Sequence, residues 1–435
     1  MKFYSTNRKS ALVNFEQAVM KGLADDGGLF MPEIIPVFYK EFFSHLENLS
    51  FQELAFSISK KFVEDEIGED KLEKIILETI NFPAPVVHLI ENISVLELFH
   101  GPTLAFKDFG ARFMAKTMEF FNSKENKELN ILVATSGDTG SAVANGFYGV
   151  EGINVFILYP RGKVSYIQEK QLTTLDKNIT ALEIDGTFDD CQRLVKAAFV
   201  DKQLTSQLRL SSANSINFAR LLPQTFYYFE AFKQLQNNNE NLIFSVPSGN
   251  LGNLTAGLIA MKMGLPITKF VAAINSNSVF SEYISTGKYS PRKSITTLSN
   301  AMDVGDPSNF SRIKDLYSNN LEEIQNNIYS DSTSDEETLN VIKDLYNKHK
   351  YIFDPHGAVG FNSLNNYLNK NNFTDYSAVI LETAHPAKFL DVVETTINIK
   401  IQMPERLAAC MKKEKKSAAL SNEYSELKKF LLNSI

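Results

Sequence analysis

The sequence predicts an α/β protein with mainly parallel strands, and two features of the chain lead to this prediction. Beyond Pro83 and Pro85, short apolar runs alternate with segments of helical periodicity, which is the pattern of parallel-sheet proteins. Several of these runs are rich in Val and Ile without strict alternation, as expected for strands that are buried on both faces. The predicted strands are residues 86–90, 131–134, 155–158, 179–184, 242–246, 270–274 and 378–381.

Length and composition limit the classes of protein to which the chain can belong. Its 435 residues suffice for two or more domains, and 44% hydrophobic with 22% charged residues is typical of a globular protein in water. Lys and Arg number 44 against 51 Asp and Glu, which argues against nucleic acid as a partner but permits a local basic pocket for a small anion.

Three further observations concern location and cofactors. The first residues lack the apolar segment of a signal peptide, and no apolar run is as long as a membrane span. Cys191 and Cys410 are expected to be reduced thiols, so we expect a cytoplasmic protein that contacts no membrane. No Cys/His cluster has the spacing of metal ligands, and no metal is expected.

Residues 1–82 are expected to form an N-terminal helical domain. A short helical face over residues 15–23 ends at a turn over residues 25–28. Two amphipathic segments, residues 51–62 and 71–80, follow it. No residue in this region carries chemistry by itself.

Lys107 lies where a loop is expected to enter a helix. Gly101-Pro102 predicts a turn before it, and Ala111, Met114 and Met118 recur at helical spacing after it. A lysine among apolar neighbours is either paired with an acid or used as an amine nucleophile, for example in a Schiff base with pyridoxal phosphate (PLP). The alternative is a lysine whose stem packs while its amine reaches water, and this stretch alone favours that alternative.

A second informative segment follows the predicted strand at residues 242–246. Gly249 and Gly252 permit close approach of the backbone, and the N–H groups at a helix start bind phosphate. The segment is neither a P-loop nor a G-x-G-x-x-G fingerprint. A tight turn without a ligand is an equally good interpretation.

Two more strand ends carry polar side chains. After residues 131–134, the hydroxyl groups of Thr135, Ser136 and Thr139 are suited to a carboxylate, because parallel sheets bind ligands at the carboxyl ends of their strands. We interpret Asp138, in the same loop, as a helix cap. The strand at residues 378–381 leads to the hydroxyl group of Thr383.

Together these segments resemble the PLP-dependent enzymes of fold type II, the tryptophan synthase β family, and within that group the threonine synthases. The resemblance runs in order to about residue 400 and is weakest between about residues 276 and 352. It rests on residues 3–6, 22–32, 100–108, 186–191, 215–217 and 383–389.

The resemblance implies an architecture and a division into domains. Two open, mainly parallel, twisted sheets would be flanked by helices, beside the N-terminal helical domain. Residues 83–390 would form the PLP-binding α/β region, with a smaller α/β domain at about 110–210. Residues 391–435 would form a C-terminal helical extension.

The resemblance also implies roles for single residues. Lys107 would hold PLP covalently and act as the catalytic base and acid, and Thr383 would face the pyridine nitrogen. The phosphate group of PLP would be bound by Gly249, Asn250, Leu251, Gly252 and Asn253. Leu251 departs from the Phe that is more usual there, with little expected effect because the backbone N–H is the donor. Ser136, Gly137, Asp138 and Thr139 would lie near the substrate carboxylate.

The implied reaction converts O-phospho-L-homoserine and water to L-threonine and phosphate, the last step of threonine biosynthesis, by a carbon–oxygen lyase acting on phosphates. A monomer or homodimer is expected, with a small-molecule substrate and no nucleic acid. The candidates for binding the substrate phosphate, each equally compatible with a loop charge or a helix cap, are Arg161, Lys163, Ser165, Asn214, Ser215, Asn217 and Arg220.

Several points stay open in the sequence. His100, His385 and Glu382 are compatible with substrate contact or with a structural role in their loops. The polar segment 317–350 is expected to form helices joined by surface loops, and residues 412–416 the solvated face of a helix. Two alternative functions remain: a fold type II serine/threonine dehydratase or phospholyase, and a non-catalytic binding protein on the same fold.

Overall fold

The computed structural model describes residues 1–63, 66–124, 127–235 and 241–434, and two large β-sheets dominate them. The strands are β1 (Phe3–Ser5), β2 (Phe30–Pro32), β3 (Val86–Ile90), β4 (Ile93–Glu97), β5 (Leu129–Ala134), β6 (Ile153–Pro160), β7 (Ile179–Asp185), β8 (Arg209–Ser212), β9 (Leu242–Pro247), β10 (Lys269–Ile274), β11 (Ile328–Ser332), β12 (Ser377–Glu382) and β13 (Ala418–Ser421). All seven predicted strands are present.

Helices connect and cover these strands. They are α1 (Phe15–Lys21), α2 (Lys40–His45), α3 (Phe51–Val63), α4 (Glu69–Thr79), α5 (Lys107–Asn122), α6 (Asp138–Gly146), α7 (Tyr166–Thr173), α8 (Phe188–Val200), α9 (Lys202–Gln207), α10 (Phe218–Leu221), α11 (Pro223–Leu235), α12 (Gly252–Lys262), α13 (Val279–Thr286), α14 (Phe310–Leu316), α15 (Leu321–Asn327), α16 (Asp335–His349), α17 (Pro355–Asn371), α18 (Leu390–Ile397), α19 (Glu405–Met411) and α20 (Tyr424–Asn433). Short 3₁₀ turns cover Leu46–Asn48, Asn300–Met302 and Pro386–Lys388.

The larger sheet has six strands in the order β11-β10-β9-β12-β4-β3. Its neighbouring strands are parallel, except for the antiparallel edge pair β3–β4. Along β9, Ile243 packs with Leu364 of α17 on one face, and Phe244 packs with Tyr228 of α11 on the other. Because both faces are covered, successive residues are all buried and, apart from Ser245, apolar, so the expected absence of alternation is confirmed.

The smaller sheet has five parallel strands in the order β13-β7-β6-β5-β8. Four of its strands lie between residues 129 and 212, and the edge strand β13 comes from the C-terminal part of the chain. The predicted fold, two mainly parallel sheets flanked by helices, is therefore confirmed. In the two large sheets the prediction missed β8, β11 and β13, which are short and lie at sheet edges where the hydrophobic signal is weak. It also missed β4, which lies between β12 and β3.

The N-terminal region is mostly helical, as predicted, but it also contains the antiparallel pair of β1 and β2. Its first helix ends at Lys21 and is capped by Gly22 with φ of +72°, so the predicted end at residues 25–28 is wrong by one turn. Phe3 of β1 makes an edge contact with the ring of Phe218, and Phe15 of α1 packs near Phe121. The N-terminal elements therefore share one hydrophobic core with the α/β region that follows them.

Two predictions for polar segments are corrected. Residues 328–332 form β11, which pairs in parallel with β10, instead of a surface loop between helices. Residues 412–416 follow the end of α19 and are not helical. Lys415 instead lies 2.8 Å from carboxylate oxygens of both Glu169 and Glu183. The C-terminal extension is also not purely helical, because β13 lies between α19 and α20.

The carboxyl ends of three strands open onto one cavity of about 850 Å³. Residues that follow β5, β9 and β12 line it, so both sheets contribute to its wall. Among the described residues, no helix is long and apolar enough to cross a membrane. Within the same residues, no group of three or more His, Cys, Asp or Glu side chains is arranged to hold a metal ion.

Candidate active site

Lys107 is the first residue of α5, and its side chain is 15% exposed. The turn before it is held by Asp108, whose carboxylate accepts hydrogen bonds from the backbone N–H of Thr103 at 2.8 Å and from its hydroxyl group at 2.6 Å. The N–H of Phe106 donates to the carbonyl of Thr383 at 2.9 Å, which ties this turn to the end of β12. The predicted entry of a loop into a helix at Lys107 is confirmed.

Burial has a chemical consequence for Lys107. Loss of water around the amine lowers its pKa, because the charged form is disfavoured in an apolar environment. The nearest carboxylate oxygen, Oδ2 of Asp138, is 3.8 Å from Nζ. The lysine is thus close to an acid without being tightly bonded to it, which suits an amine that must react.

The loop between β9 and α12 forms a cradle beside Lys107. A Cβ atom on Gly249 would lie 2.7 Å from Cα of Met302, so no larger residue fits there without a backbone shift. Leu251 adopts a left-handed conformation with φ of +57°, which turns the chain into α12. The first N–H groups of this helix have no carbonyl partner within it and are available to a phosphate.

The residues of this cavity fit the expected PLP. Lys107, Thr383 and the five loop residues all line the same cavity; the five are Gly249, Asn250, Leu251, Gly252 and Asn253. Nδ2 of Asn253 is buried and has no hydrogen-bond partner among the described residues, whereas its Oδ1 accepts bonds from Tyr227 and Tyr228. A buried amine, an unpaired amide donor and a glycine cradle in one cavity are what a phosphate-bearing aldehyde requires.

The loop after β5 lies on the other sheet and faces the same cavity. Ser136, Asp138 and Thr139 line it, and Gly137 adopts φ of +141°, a conformation that favours glycine. The interpretation of Asp138 as a helix cap is wrong, because Gly137 occupies the cap position and Asp138 makes no capping bond. Its carboxylate instead lies 2.6 Å from Nζ of Lys388.

Asp138 is an ionised, buried carboxylate. Burial by itself would raise the pKa of Asp138, but the neighbouring Lys388 and Lys107 bring it well below its usual range. Gln168 Nε2 adds a hydrogen bond of 3.1 Å to the same carboxylate. The sequence contained Lys388 in a segment that carries the resemblance, but no local pattern indicates what its side chain contacts.

Three of the predicted phosphate ligands line the cavity: Asn214, Ser215 and Arg220. Arg220 is 2% exposed, and burial lowers its pKa to about 10, so its guanidinium group stays charged at neutral pH. One of its nitrogens donates to the carbonyl of Ala213 at 2.6 Å, and its buried Nε has no partner within the described chain.

The other four predicted phosphate ligands do not line the cavity, and their environment speaks against substrate contact. Arg161 is half exposed and lies 3.9 Å from Glu183, and Lys163 is exposed. Ser165 caps α7 through the N–H of Gln168, and Asn217 caps α10 through the N–H of Ala219. The helix-cap alternative therefore applies to Ser165 and Asn217.

The histidines noted in the sequence serve structural roles, and a different histidine faces the cavity. His100 lies 2.8 Å from Glu97, and His385 accepts a hydrogen bond from the N–H of Ala387. His356, which the sequence analysis missed, lines the cavity.

The hydrogen bonds of His356 indicate which of its two ring nitrogens carries the proton. Its Nε2 accepts a bond of 3.2 Å from the N–H of Ala301, so its Nδ1 carries the proton and donates to Asp354 at 2.9 Å. Glu382 does not line the cavity; its Oε1 accepts from the N–H of Asp354, and burial raises its pKa well above the usual value.

Comparison with protein families identifies three matching models along the chain. A model described as pyridoxal-phosphate dependent enzyme matches residues 82–383. Models described as threonine synthase N terminus and threonine synthase, C-terminal, match residues 2–80 and 357–431.

Similar proteins cover the full length of the chain. A threonine synthase of Escherichia coli is 42% identical over 100% of both chains, and one of Saccharomyces cerevisiae is 37% identical over 91% of this chain and 89% of its own. A crystal structure of the Escherichia coli enzyme matches with a TM-score of 0.93 over 100% of both chains.

A second solved structure, described as PLP-bound threonine synthase from Brucella melitensis, is 34% identical and matches with a TM-score of 0.93 over 100% of this chain and 99% of its own. Threonine deaminase isoform 2 of Solanum lycopersicum is only 15% identical, with a TM-score of 0.56 over 76% of this chain and 94% of its own, and so shows the shared fold alone. Since the family models and the relatives agree along the whole length, the chain belongs to the threonine synthase family of PLP-dependent enzymes.

Proposed function

We propose that this PLP-dependent lyase converts O-phospho-L-homoserine and water to L-threonine and phosphate, with Lys107 as its catalytic residue. The observation that carries the proposal is the presence of a buried lysine, a glycine cradle and a buried arginine in the wall of one cavity. The substrate has two anionic ends and an amine, so a site for it needs an anion-binding region on either side of the reacting lysine.

Three parts of the chain would hold the cofactor. Lys107 would bind it covalently, residues 249–253 would bind its phosphate, and Thr383 would face its ring nitrogen. When bound, PLP supplies an electron sink that stabilises negative charge next to the substrate amine. Thr383 is a neutral hydroxyl group and, unlike an acid, does not enforce protonation of the ring.

Lys107 would then move protons on the substrate. Once the substrate amine has taken its place, the free amine of Lys107 can accept the α-proton and deliver or remove protons at Cβ. Because burial lowers the pKa of Lys107, the neutral form needed for the first of these steps is favoured.

The substrate carboxylate would be bound by the loop that begins α6. The hydroxyl groups of Ser136 and Thr139 line the cavity there, and α6, with its N-terminus at Asp138, has nine residues. The Asp138 side chain itself would repel a carboxylate, but its charge is compensated by Lys388 at 2.6 Å. The positive end of the helix dipole can therefore act on the substrate.

The substrate phosphate would be bound by Arg220 together with Asn214 and Ser215. Arg220 is a buried cation, and among the described residues no carboxylate forms a hydrogen bond with it. A buried charge without a counterion is energetically costly, so a bound anion would stabilise it. The unpaired Nε of Arg220 is a donor, which indicates that this part of the wall lacks an acceptor such as a phosphate oxygen; Asn214 and Ser215 line the cavity beside it. We therefore retain these three residues from the predicted set.

A direct assay tests this function. The purified chain is incubated with PLP and O-phospho-L-homoserine, and threonine and inorganic phosphate are measured; equal amounts of both are expected. Ammonia and a keto acid as main products would favour the dehydratase, and a protein that takes up no PLP would favour the non-catalytic alternative.

Substitution of Lys107 tests the role of this residue within the reaction. Lys107→Ala is expected to lose the visible absorbance of bound PLP and to lower kcat by about 100-fold or more, because the anchor and the base are removed together. Lys116→Ala is the matched control, since Lys116 lies on the same helix and pairs with Glu119 at 2.8 Å. Normal turnover by Lys107→Ala would refute the assignment.

We further propose a cytoplasmic protein that is a monomer or homodimer, with the domain division predicted from the sequence. Cys191 and Cys410 are both free thiols, as in a reducing compartment. Sedimentation of the purified chain measures the oligomeric state, and a tetramer or larger assembly would contradict this part.

A further inference from the structure

Asp138 and Lys388 form a buried ion pair next to Lys107. Nζ of Lys388 lies 2.6 Å from Oδ1 of Asp138, and Nζ of Lys107 lies 3.8 Å from Oδ2 of the same carboxylate. The side chain of Lys388 is fully buried and that of Asp138 is 2% exposed. Two amines therefore share one carboxylate, and the closer contact belongs to Lys388.

The pair is built from elements of both sheets. Asp138 begins α6 after β5 of the smaller sheet, and Lys388 ends the short turn Pro386–Lys388 after β12 of the larger sheet. Lys388 also donates to the carbonyl of Thr103 at 3.1 Å, in the turn that precedes Lys107. Gln168 holds Oδ1 of Asp138 from the remaining side. The carboxylate is thus held by the side chains of Lys388 and Gln168, both of which lie closer to it than Lys107 does.

We propose that Lys388 is a positioning residue, whose ammonium group holds the Asp138 carboxylate so that this carboxylate does not keep a proton on Lys107. The inference rests on the proposed role of Lys107 as the reacting amine. An uncompensated carboxylate beside a buried amine favours the ammonium form, and an ammonium is neither a nucleophile nor a base. Lys388, at 2.6 Å from the carboxylate, is the group that compensates its charge.

The charged groups around Lys107 determine whether its pKa rises or falls when the charge of Lys388 is removed. Burial is the largest influence and lowers the pKa of Lys107; Lys388 and Arg220 lower it further, whereas Asp138 and Asp354 raise it. His356 of α17 also lines the cavity, and its imidazole is neutral because Nε2 accepts the bond from Ala301. Removal of the charge of Lys388 leaves two carboxylates opposed by Arg220 alone, so the pKa of Lys107 must rise.

The experiment measures the reactivity of Lys107 in the full chain freed of PLP. Acetic anhydride at limiting concentration labels amines in proportion to their unprotonated fraction, and mass spectrometry compares Lys107 with the exposed Lys348 in the same sample. The labelling of each lysine is measured as a function of pH and divided by its own maximum at high pH. In the unmodified chain, the midpoint of the Lys107 curve is expected at a lower pH than the midpoint of the Lys348 curve. A midpoint above that of Lys348 would overturn the proposal, and this measurement requires no variant to fold.

Variants then separate charge from packing. Lys388→Gln is expected to slow Lys107 labelling about tenfold at neutral pH, because Asp138 then acts on Lys107 alone. Lys388→Arg keeps the charge and should retain the normal rate. The double variant Asp138→Asn/Lys388→Gln removes both charges and should restore the rate. Lys400→Gln is the matched control, since Lys400 forms an exposed ion pair of the same 2.6 Å length with Glu394.

Two results would refute the role of Lys388: an unchanged labelling rate in Lys388→Gln, or a rate in the double variant as low as in the single one. Circular dichroism of each variant identifies any that has lost its fold. Labelling involves neither PLP nor turnover, so its outcome is independent of the proposed reaction. A failure of that reaction would instead appear as an absence of threonine and phosphate when the unmodified chain is incubated with O-phospho-L-homoserine and PLP.

Discussion

Lys107 and Arg220 are buried basic side chains, and burial has a different consequence for the charge of each. For Lys107, burial lowers the pKa and favours a neutral amine. For Arg220, burial lowers the pKa only to about 10, so the guanidinium group keeps its charge at neutral pH. The same apolar surroundings thus favour a nucleophile at one position and an anion-binding cation at the other.

Substitution of Arg220 tests its assignment to the substrate phosphate. Arg220→Met is expected to lower kcat/KM by roughly 10- to 100-fold, mainly through KM, because a charge-assisted hydrogen bond contributes about 1.5–3 kcal/mol. Inhibition by inorganic phosphate should weaken in parallel, as measured in steady-state assays with saturating PLP.

Two further variants complete this comparison. Arg220→Lys keeps the charge, so its kcat/KM is expected to fall less than that of Arg220→Met. Arg193→Met removes an exposed arginine that pairs with Asp190, and its kcat/KM should stay unchanged. If Arg220→Met raised KM no more than Arg193→Met, Arg220 would not bind the phosphate.

At the scale of elements, the site depends on strands that end where polar loops begin. The turn after β9 combines Gly249, which faces the backbone of Met302, with Leu251 in a left-handed conformation. A leucine in that conformation costs about 1–3 kcal/mol, and its side chain is only 1% exposed, so packing offsets the strain. The turn is therefore rigid before any ligand binds.

The C-terminal helix α20 gives a second element-scale prediction. Leu427 is fully buried, in a cluster with Leu182, Cys191 and Leu194 of the smaller domain. Leu427→Ala is expected to lower the free energy of unfolding by about 2–5 kcal/mol, because it leaves a cavity in this core. Urea denaturation measures the change, with the exposed Lys429→Ala as control.

Activity distinguishes this packing role from a catalytic one. Since α20 contributes no residue to the cavity lining, kcat of folded Leu427→Ala should stay close to that of the unmodified chain. Unchanged stability would mean that α20 does not contribute to the core of the smaller sheet.

At the scale of the whole molecule, basic side chains near the cavity contrast with the negative net charge of the chain. The chain carries a net charge of −7, yet Lys388 and Lys107 lie beside Asp138, and Arg220 lies near Lys107. The two sheets place these cations together, although the sequence contains no basic run at any of them. The proposed substrate has two anionic groups, so it would be attracted to one place on an otherwise acidic protein.

Stability of the whole chain should depend on pH through Asp303, which lines the cavity. Burial raises the pKa of Asp303 to about 6, from an ordinary value of 3.8. The folded state therefore holds this proton more tightly than the unfolded state, so the contribution of Asp303 to stability is lost as pH rises from about 4 to about 6. Allowing for solvent screening, the loss is about 1–2 kcal/mol.

Asp303→Asn cannot titrate and should lack this loss. The measurement is the free energy of unfolding in urea at about pH 4 and about pH 7 for both chains. From about pH 4 to about pH 7, the free energy of unfolding of Asp303→Asn should rise by about 1–2 kcal/mol relative to that of the unmodified chain. A constant difference would contradict the raised pKa, and Asp306→Asn, at an exposed neighbouring acid, serves as the control.

Much of the fold could be predicted from local patterns, and the errors have identifiable causes. The seven predicted strands were right because buried parallel strands are continuous apolar runs. The strand β11 was missed because it is an edge strand with polar residues, including Asp331. Asp138 was assigned to capping because acids at helix starts usually cap, and its true partner, Lys388, comes from the other sheet.

The sequence by itself determined the family, the parallel α/β architecture, the position of Lys107 at a helix start and the glycine loop after a strand. These features are encoded over a few adjacent residues, by periodicity and by the backbone freedom of glycine. Only the tertiary structure decided that Asp138 pairs with Lys388, that Arg220 faces the cavity and Asn217 does not, and that His356 lies in its wall. Such contacts join residues far apart in the chain, and their energies depend on burial and distance, which no local pattern contains.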